Sequence, residues 1–200
     1  MQRDNYLEQI IENAKKYKSQ LLNKTILFVY RNEKGIIDYI EAKFEEKNFR
    51  HLTGVETRLK PGDFFNNCIN HSLGANSFVA TSTTPLKLSV FNTLVQLPSI
   101  SASIGEFNGA NPRLQCEIII AKYQMVLGLK RQNKFYFPVT LLKEGNHFDC
   151  MKSQHPILIT FTREGDSETA GYNPTYINKK CEADKVFSEL PRQIQVLCHF

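Results

Sequence analysis

Apolar positions along this chain change period several times, and each change predicts a new element. Between residues 4 and 22, Tyr6, Leu7, Ile10, Ile11, Ala14, Tyr17, Leu21 and Leu22 recur every three or four residues, which predicts a helix with one apolar stripe and Asp4 as its cap. Thr25 to Tyr30 and Ile36 to Phe44 are β-rich runs flanking Asn32-Glu33-Lys34-Gly35, the pattern of a β-hairpin. After the turn Glu45 to Asn48, Phe49 to Val55 reads as a third strand of a meander, whose alternation puts His51 and Thr53 on one face. Pro61-Gly62-Asp63 breaks the chain and sets Asp63 to cap a helix from Phe64 to about His71. Thr84-Pro85 opens a second helix that carries Leu88, Phe91, Leu94 and Val95 and stops at Pro98. The stretch from Ser99 to Arg113, with Gly105, Gly109 and Pro112, reads as a loop or an irregular strand.

The remainder is β-rich. Leu114 to Tyr123, Met125 to Arg131, Phe135 to Leu142 and Pro156 to Arg163 all read as strands of an antiparallel sheet, with Gln132-Asn133 as a turn. From Lys179 on, a helix over Ala183 to Leu190 is expected, broken at Pro191 and resuming from Gln193. Helices and strands segregate along the chain, which makes the fold class α+β.

Composition narrows the picture only a little. With 200 residues, 42% hydrophobic and 22% charged, the chain suits one globular domain with a full core. Residues Met1 to Lys18 hold no continuous apolar stretch, so no signal peptide is expected, nor any membrane span or membrane partner, and a cytoplasmic protein is the expectation. Five cysteines without a C-x-x-C pair predict reduced packing thiols; no metal site and no cofactor is expected. The net charge of +5 is unevenly placed: Arg113, Lys122, Lys130, Arg131, Lys134 and Lys143 face a single acid, Glu117, within one central segment. Such a segment suits phosphate contacts as well as a solvated face.

The candidate chemistry centres on His51, whose imidazole titrates near neutral pH and stands beside Arg50 and Thr53. Lys122 interrupts an apolar strand, where a lysine needs a reason to be, and Lys130 and Arg131 follow at the end of the next run. Thr160 and Thr162 share one face of their strand and Arg163 takes the other. Tyr123, Tyr136 and Tyr172 are candidates for stacking on bases, although tyrosine in strands is commonly packing. His71, His147, His155 and His199 carry no spacing typical of metal ligands, and Asp149 beside His147 is too slight a pairing to make one.

The order of helix, hairpin, FRHLTGV, a Phe-rich helix, TTPLKLSVFNTL, IIIAKYQMVLGLKR, FYFPVTLL and PILITFTREG resembles the phage-associated branch of the Barnase/EndoU/colicin/RelE-like ribonuclease superfamily. The resemblance divides the chain into a helix over residues 1–22, a nuclease domain over 23–178 and a helical tail over 179–200. It implies helices packed on one face of a curved antiparallel sheet and a metal-independent, RNA-cleaving site on the open face. It also implies that His51 and Thr53 occupy the family's histidine motif and that Thr140 supplies the hydroxyl of the Phe-Pro-Val-Thr element.

Metal-independent RNA cleavage needs a base for the 2′-hydroxyl, cations for the phosphorane-like transition state and an acid for the leaving oxygen. His51, Thr53, Lys122 and Thr140 are the expected catalytic set, with Lys130, Arg131, Thr162 and Arg163 contacting RNA. The expected biology is a toxin or phage-conflict effector in a bacterial cytoplasm, with RNA as substrate and an inhibitor or antitoxin protein as a second partner. A non-catalytic RNA-binding or inhibitor protein on the same fold is the alternative; a nucleotide-dependent transferase is a fainter one, disfavoured by the lack of a Gly-rich or acidic signature.

Overall fold

The computed structural model describes residues 2–109, 114–144, 150–165 and 170–200, with residues 2–5 described in backbone only. Arg113, His147 and Asp149 therefore lie outside the described residues. Helix α1 (Gln2–Gln20) leads into the hairpin of β1 (Lys24–Arg31) and β2 (Ile37–Lys43). Asp4 falls inside α1 rather than ahead of it. Next come α2 (Glu46–Thr53), β3 (Val55–Glu56), α3 (Pro61–Ile69), β4 (Val79–Ala80) and α4 (Thr84–Gln96). Strands β5 (Ser103–Glu106), β6 (Ile118–Lys122), β7 (Met125–Gln132), β8 (Phe135–Lys143), β9 (His155–Glu164) and β10 (Asn173–Ile177) follow. The chain ends in α5 (Ala183–Ser188) and α6 (Arg192–Gln195).

Eight of these strands form one sheet in the order β1-β2-β8-β7-β6-β5-β9-β10, and β1 also pairs with β9. The pairings thus close on themselves, with β5 and β10 sharing the edge of β9 that β1 leaves free. The fold class is the expected α+β with a curved sheet. The sheet is mixed rather than wholly antiparallel: β2 meets β8 in parallel, through the single pair Ala42 and Tyr136. The third strand beside β1 is β9, from the far end of the sequence.

The meander strand Phe49 to Val55 is corrected to helix α2. Phe49, Leu52 and Thr53 are spaced for one helical face and all are buried. The stop is Gly54, which takes the left-handed conformation at φ 73°. A side chain there would also collide with Lys87 and Thr83, because a Cβ would come within 2.8 Å of both.

One face of the sheet packs on α1 to α4. Ile26 and Phe28 of β1 join Tyr17, Phe49, Phe64, Phe65 and Phe91 in the main core. Phe49 is its hub, with ring centroids 5.3 Å from Phe65, 5.4 Å from Tyr17 and 5.7 Å from Phe91. The alternate residues Leu27 and Val29 face the other side, where Ile159, Phe161 and Tyr172 meet Val186, Leu190 and Ile194 of α5 and α6. The helical tail is therefore the cover of the sheet's second face, and β1 is buried on both. Cys116, Ile119, Ala121, Val126, Cys150 and Met151 make a third cluster outside β6 and β7. All five cysteines are free thiols. No described helix is long and apolar enough to cross a membrane.

Removing the hub ring is expected to cost about 3–5 kcal/mol. Phe49→Ala should lower the urea midpoint strongly, whereas Leu86→Ala, at a position 47% exposed, should stay within about 0.5 kcal/mol of the parent.

Candidate active site

Where β2 and β8 part after their single pair, the flank of β8 is covered by α2. The contact is specific. Asn48, buried, accepts from the Glu45 backbone N–H at 2.9 Å and donates to the Pro138 carbonyl at 3.3 Å. Proline has no N–H to offer a neighbouring strand, so the side-chain amide takes the place of a ladder bond. One residue later the β7/β8 register slips, because Gly128 faces Thr140 while Leu129 faces Pro138, leaving Val139 as the extra residue of a bulge. The methyl group of Thr140 lies over Gly128, where a Cβ would come within 2.7 Å of it.

Helix and bulge enclose a cleft of about 560 Å³ whose polar lining is Lys47, Asn48, His51, Gln115, Lys130, Gln132 and Thr140. His51 stands on the solvent side of α2, one turn beyond Asn48. The other end of its helix turn is anchored: Lys87 Nζ donates to the His51 carbonyl at 2.8 Å, and Thr81 and Thr84 hydroxyls donate to the Gly54 carbonyl at 2.8 Å each. Partial burial, with help from the charges of Arg50 and Lys87, lowers the His51 pKa below its ordinary value. The ring is thus neutral at pH 7 and able to accept a proton. Lys47 sits over the Phe137 ring at 5.4 Å and pairs with Glu45 at 2.5 Å, while Lys130 is exposed.

Of the residues expected to act together, the cleft gathers His51, Thr140 and Lys130. Thr53 is fully buried on the opposite side of α2 and its hydroxyl donates to the Arg50 carbonyl at 2.8 Å. Residues two apart on a helix point in different directions, so Thr53 and His51 do not share a face. Lys122 is opposite Met125, at the far end of β7 from Lys130, about 17 Å away along the strand. Its ammonium donates to Ser101 Oγ at 2.6 Å and covers Tyr123 at 4.3 Å, which accounts for a lysine there. Arg131 points to the other face of β7 and donates to the Asn133 carbonyl at 3.0 Å.

Thr162 and Arg163 are buried instead of lying on an open edge: β10 pairs with β9 as far as Thr162, and the Tyr172 ring covers Arg163. Thr162 is 3.2 Å from the Thr175 hydroxyl, and the Arg163 guanidinium lies 4.7 Å from the Tyr172 ring centroid. Tyr172 is itself fully buried, with its hydroxyl donating to Glu41, so it offers no stacking surface. The contributions that sequence reading missed are Lys47 and Asn48, which it had assigned to a turn. The helical spacing of Asn48, Phe49, Leu52 and Thr53 is the signal for helix α2, with Lys47 then on its solvent side.

Among the described residues, no carboxylate lines this cleft and no group of three or more His, Cys, Asp or Glu is arranged to hold a metal ion. The cleft thus sets two lysines and one imidazole together on the flank of a curved α+β sheet. Residues 9–179 match the family described as phage-Barnase-EndoU-ColicinE5/D-RelE like nuclease4, and the chain belongs to that family of phage-associated nucleases. No curated protein and no solved structure matches it.

The placement of His51 is open to a direct measurement. Its ring should titrate below 6.5 by NMR, and Lys87→Met, which removes a positive neighbour, should move the midpoint upward. A midpoint at or above 6.5 in the parent contradicts this environment.

Proposed function

We propose that the chain is an endoribonuclease and that the α2–β8 cleft is its active site, working without a metal ion. The observation that carries this reading is the meeting of an accessible, neutral imidazole with Lys130, Lys47 and Thr140 in one cleft. Family membership supports nuclease chemistry and a nucleic-acid substrate. RNA is the substrate that this set of side chains suits, since one general base is enough when the attacking hydroxyl belongs to the substrate.

In this scheme His51 takes the proton of the 2′-hydroxyl as its oxygen bonds to phosphorus. The bond from phosphorus to the 5′-oxygen breaks, and that oxygen takes a proton from solvent in the open cleft. The products are a 2′,3′-cyclic phosphate and a free 5′-hydroxyl. Lys130 and Lys47 stabilise the added negative charge, and Thr140 donates to a phosphoryl oxygen. Divalent cations favour clusters of carboxylate oxygens, which the described lining lacks. An enzyme of this kind acts where RNA is, in the cytoplasm of a bacterial cell, and the phage association of its family fits a toxin or conflict effector restrained by an inhibitor protein.

The purified chain should cut a single-stranded RNA oligonucleotide in EDTA. His51→Ala should slow cutting by about 10²–10⁴ while the protein stays folded. The rate should rise with pH through a limb below 6.5, as His51 loses its proton, and Lys130→Ala should weaken binding and flatten its salt dependence. Cleavage that survives His51→Ala refutes the site, and salt-sensitive binding without products favours a non-catalytic RNA binder.

A further inference from the structure

The inner face of the sheet is apolar along most of its length and turns polar at one end. Four strands contribute the same change: Phe28 gives way to Tyr30 in β1, Ile40 to Asp38 in β2, Ile104 to Glu106 in β5 and Ile157 to His155 in β9. The register brings these positions together, since Tyr30 pairs with Asp38 and Ile104 with His155. They surround an open pocket of about 230 Å³, floored by Ile104, Gly105 and Ile118 and rimmed by Lys34 and Lys152. The mechanism of the His51 cleft uses none of them.

The pocket is built rather than incidental. Gly105 lets the chain before β9 press against β5, because a Cβ would fall 1.8 Å from the Ser153 carbonyl oxygen. The Tyr30 ring lies 6.1 Å from the His155 ring, forming an aromatic wall. Burial, and then the charge of Asp38, push the Tyr30 hydroxyl up to about 12, and its hydrogen bond with Asp38 adds to the rise. Asp38 also accepts from the Tyr39 N–H at 2.8 Å, which fixes its carboxylate. Glu106 is exposed and touches Lys152 only at 3.6 Å, leaving it acceptors to spare.

We propose that this mouth binds a single guanine base of the RNA substrate. The volume is below the roughly 300 Å³ at which drug-sized ligands begin, so it admits one base and not a longer segment. Ionised carboxylates only accept hydrogen bonds, and guanine alone presents two adjacent donors, N1–H and the 2-amino group, on one edge. Adenine and cytosine set a ring-nitrogen acceptor beside their one amino group, and uracil flanks its N–H with two carbonyls. Guanine's O6 and N7 accept from ammonium groups, which the lysine rim supplies. The Tyr30 and His155 rings provide the stacking surface.

The two hollows share no lining residue: Lys130 lines the cleft, while Arg131 turns to the other face of β7, opposite Tyr136. The occupant rests on the ribonuclease reading; the pocket does not. Titrating guanosine 5′-monophosphate into the parent and into His51→Ala should shift the backbone signals of Gly105, Glu106 and His155 in both. Adenosine and inosine monophosphates should bind about ten- to a hundredfold more weakly, and Glu106→Gln should erase the difference. Equal binding of guanosine and adenosine monophosphates overturns the proposal, as do shifts confined to Asn48 and His51 or a preference that Glu106→Gln leaves intact. Guanine binding at the mouth by a protein that never cuts RNA retains this proposal and dismisses the nuclease site.

Discussion

Burial of Phe49 among four other aromatic rings is the contact on which the remaining geometry depends. A helix turns about 100° per residue, so committing Phe49, Leu52 and Thr53 to the core obliges Lys47 and His51 to face solvent. The exposure of the imidazole is thus a consequence of packing behind it. Its height above the sheet is then set by Asn48, whose amide reaches the carbonyl of Pro138 and joins helix to strand. Loss of a buried bond of that kind costs about 1–3 kcal/mol when a carbonyl is left without a donor, enough to loosen the cleft without unfolding the domain.

The second constraint is the incomplete closure of the sheet. A continuous ladder between β2 and β8 would have brought their side chains together and left α2 no seat; one pair and a proline end the ladder. The bulge at Val139 absorbs the remaining mismatch. The same closure, followed to the other strand ends, gathers Tyr30, Asp38, Glu106 and His155 around an opening that no described helix caps. Each apolar strand must end in polar residues as it emerges into water, but convergence of these four on a hollow backed by Ile104 and Ile118 is the work of register.

Much of this architecture was legible in the residues. The first hairpin, the two core helices near Pro61 and Pro85, four long strands and the break at Pro191 are local features, carried by period and by turn residues, although Asp63 lies in the first turn of its helix instead of capping it. What failed were features decided by distant partners. Phe49 to Val55 contains both an alternating and a helical apolar pattern, and only the rings of α1, α3 and α4 select the helix. β10, with Asn173 and Pro174 in a short exposed run, has no apolar period and exists because β9 offers it an edge. Lys122 looked anomalous in an apolar run, yet Ser101 and Tyr123 satisfy it locally. Arg163 looked like an edge cation, and the ring of Tyr172, just ahead of β10, covers it.

The net charge of +5 conceals an arrangement that matters more than its size. Lys130 and Arg131 are neighbours in sequence, but strand alternation sends one to the outer cleft and the other toward Tyr136, on the face that carries Asp38 and Glu106. Burial raises the Tyr136 hydroxyl; Arg131 opposes that rise, and Glu117, Asp38 and Glu106 add to it. The hairpin therefore turns one basic side chain toward the cleft of Lys47 and His51 and the other toward a face that also carries carboxylates. A chain of RNA has both kinds of group, phosphates outside and base edges that donate. On the ribonuclease reading proposed above, the first face meets phosphates and the second, with its carboxylates and lysine rim, meets base edges.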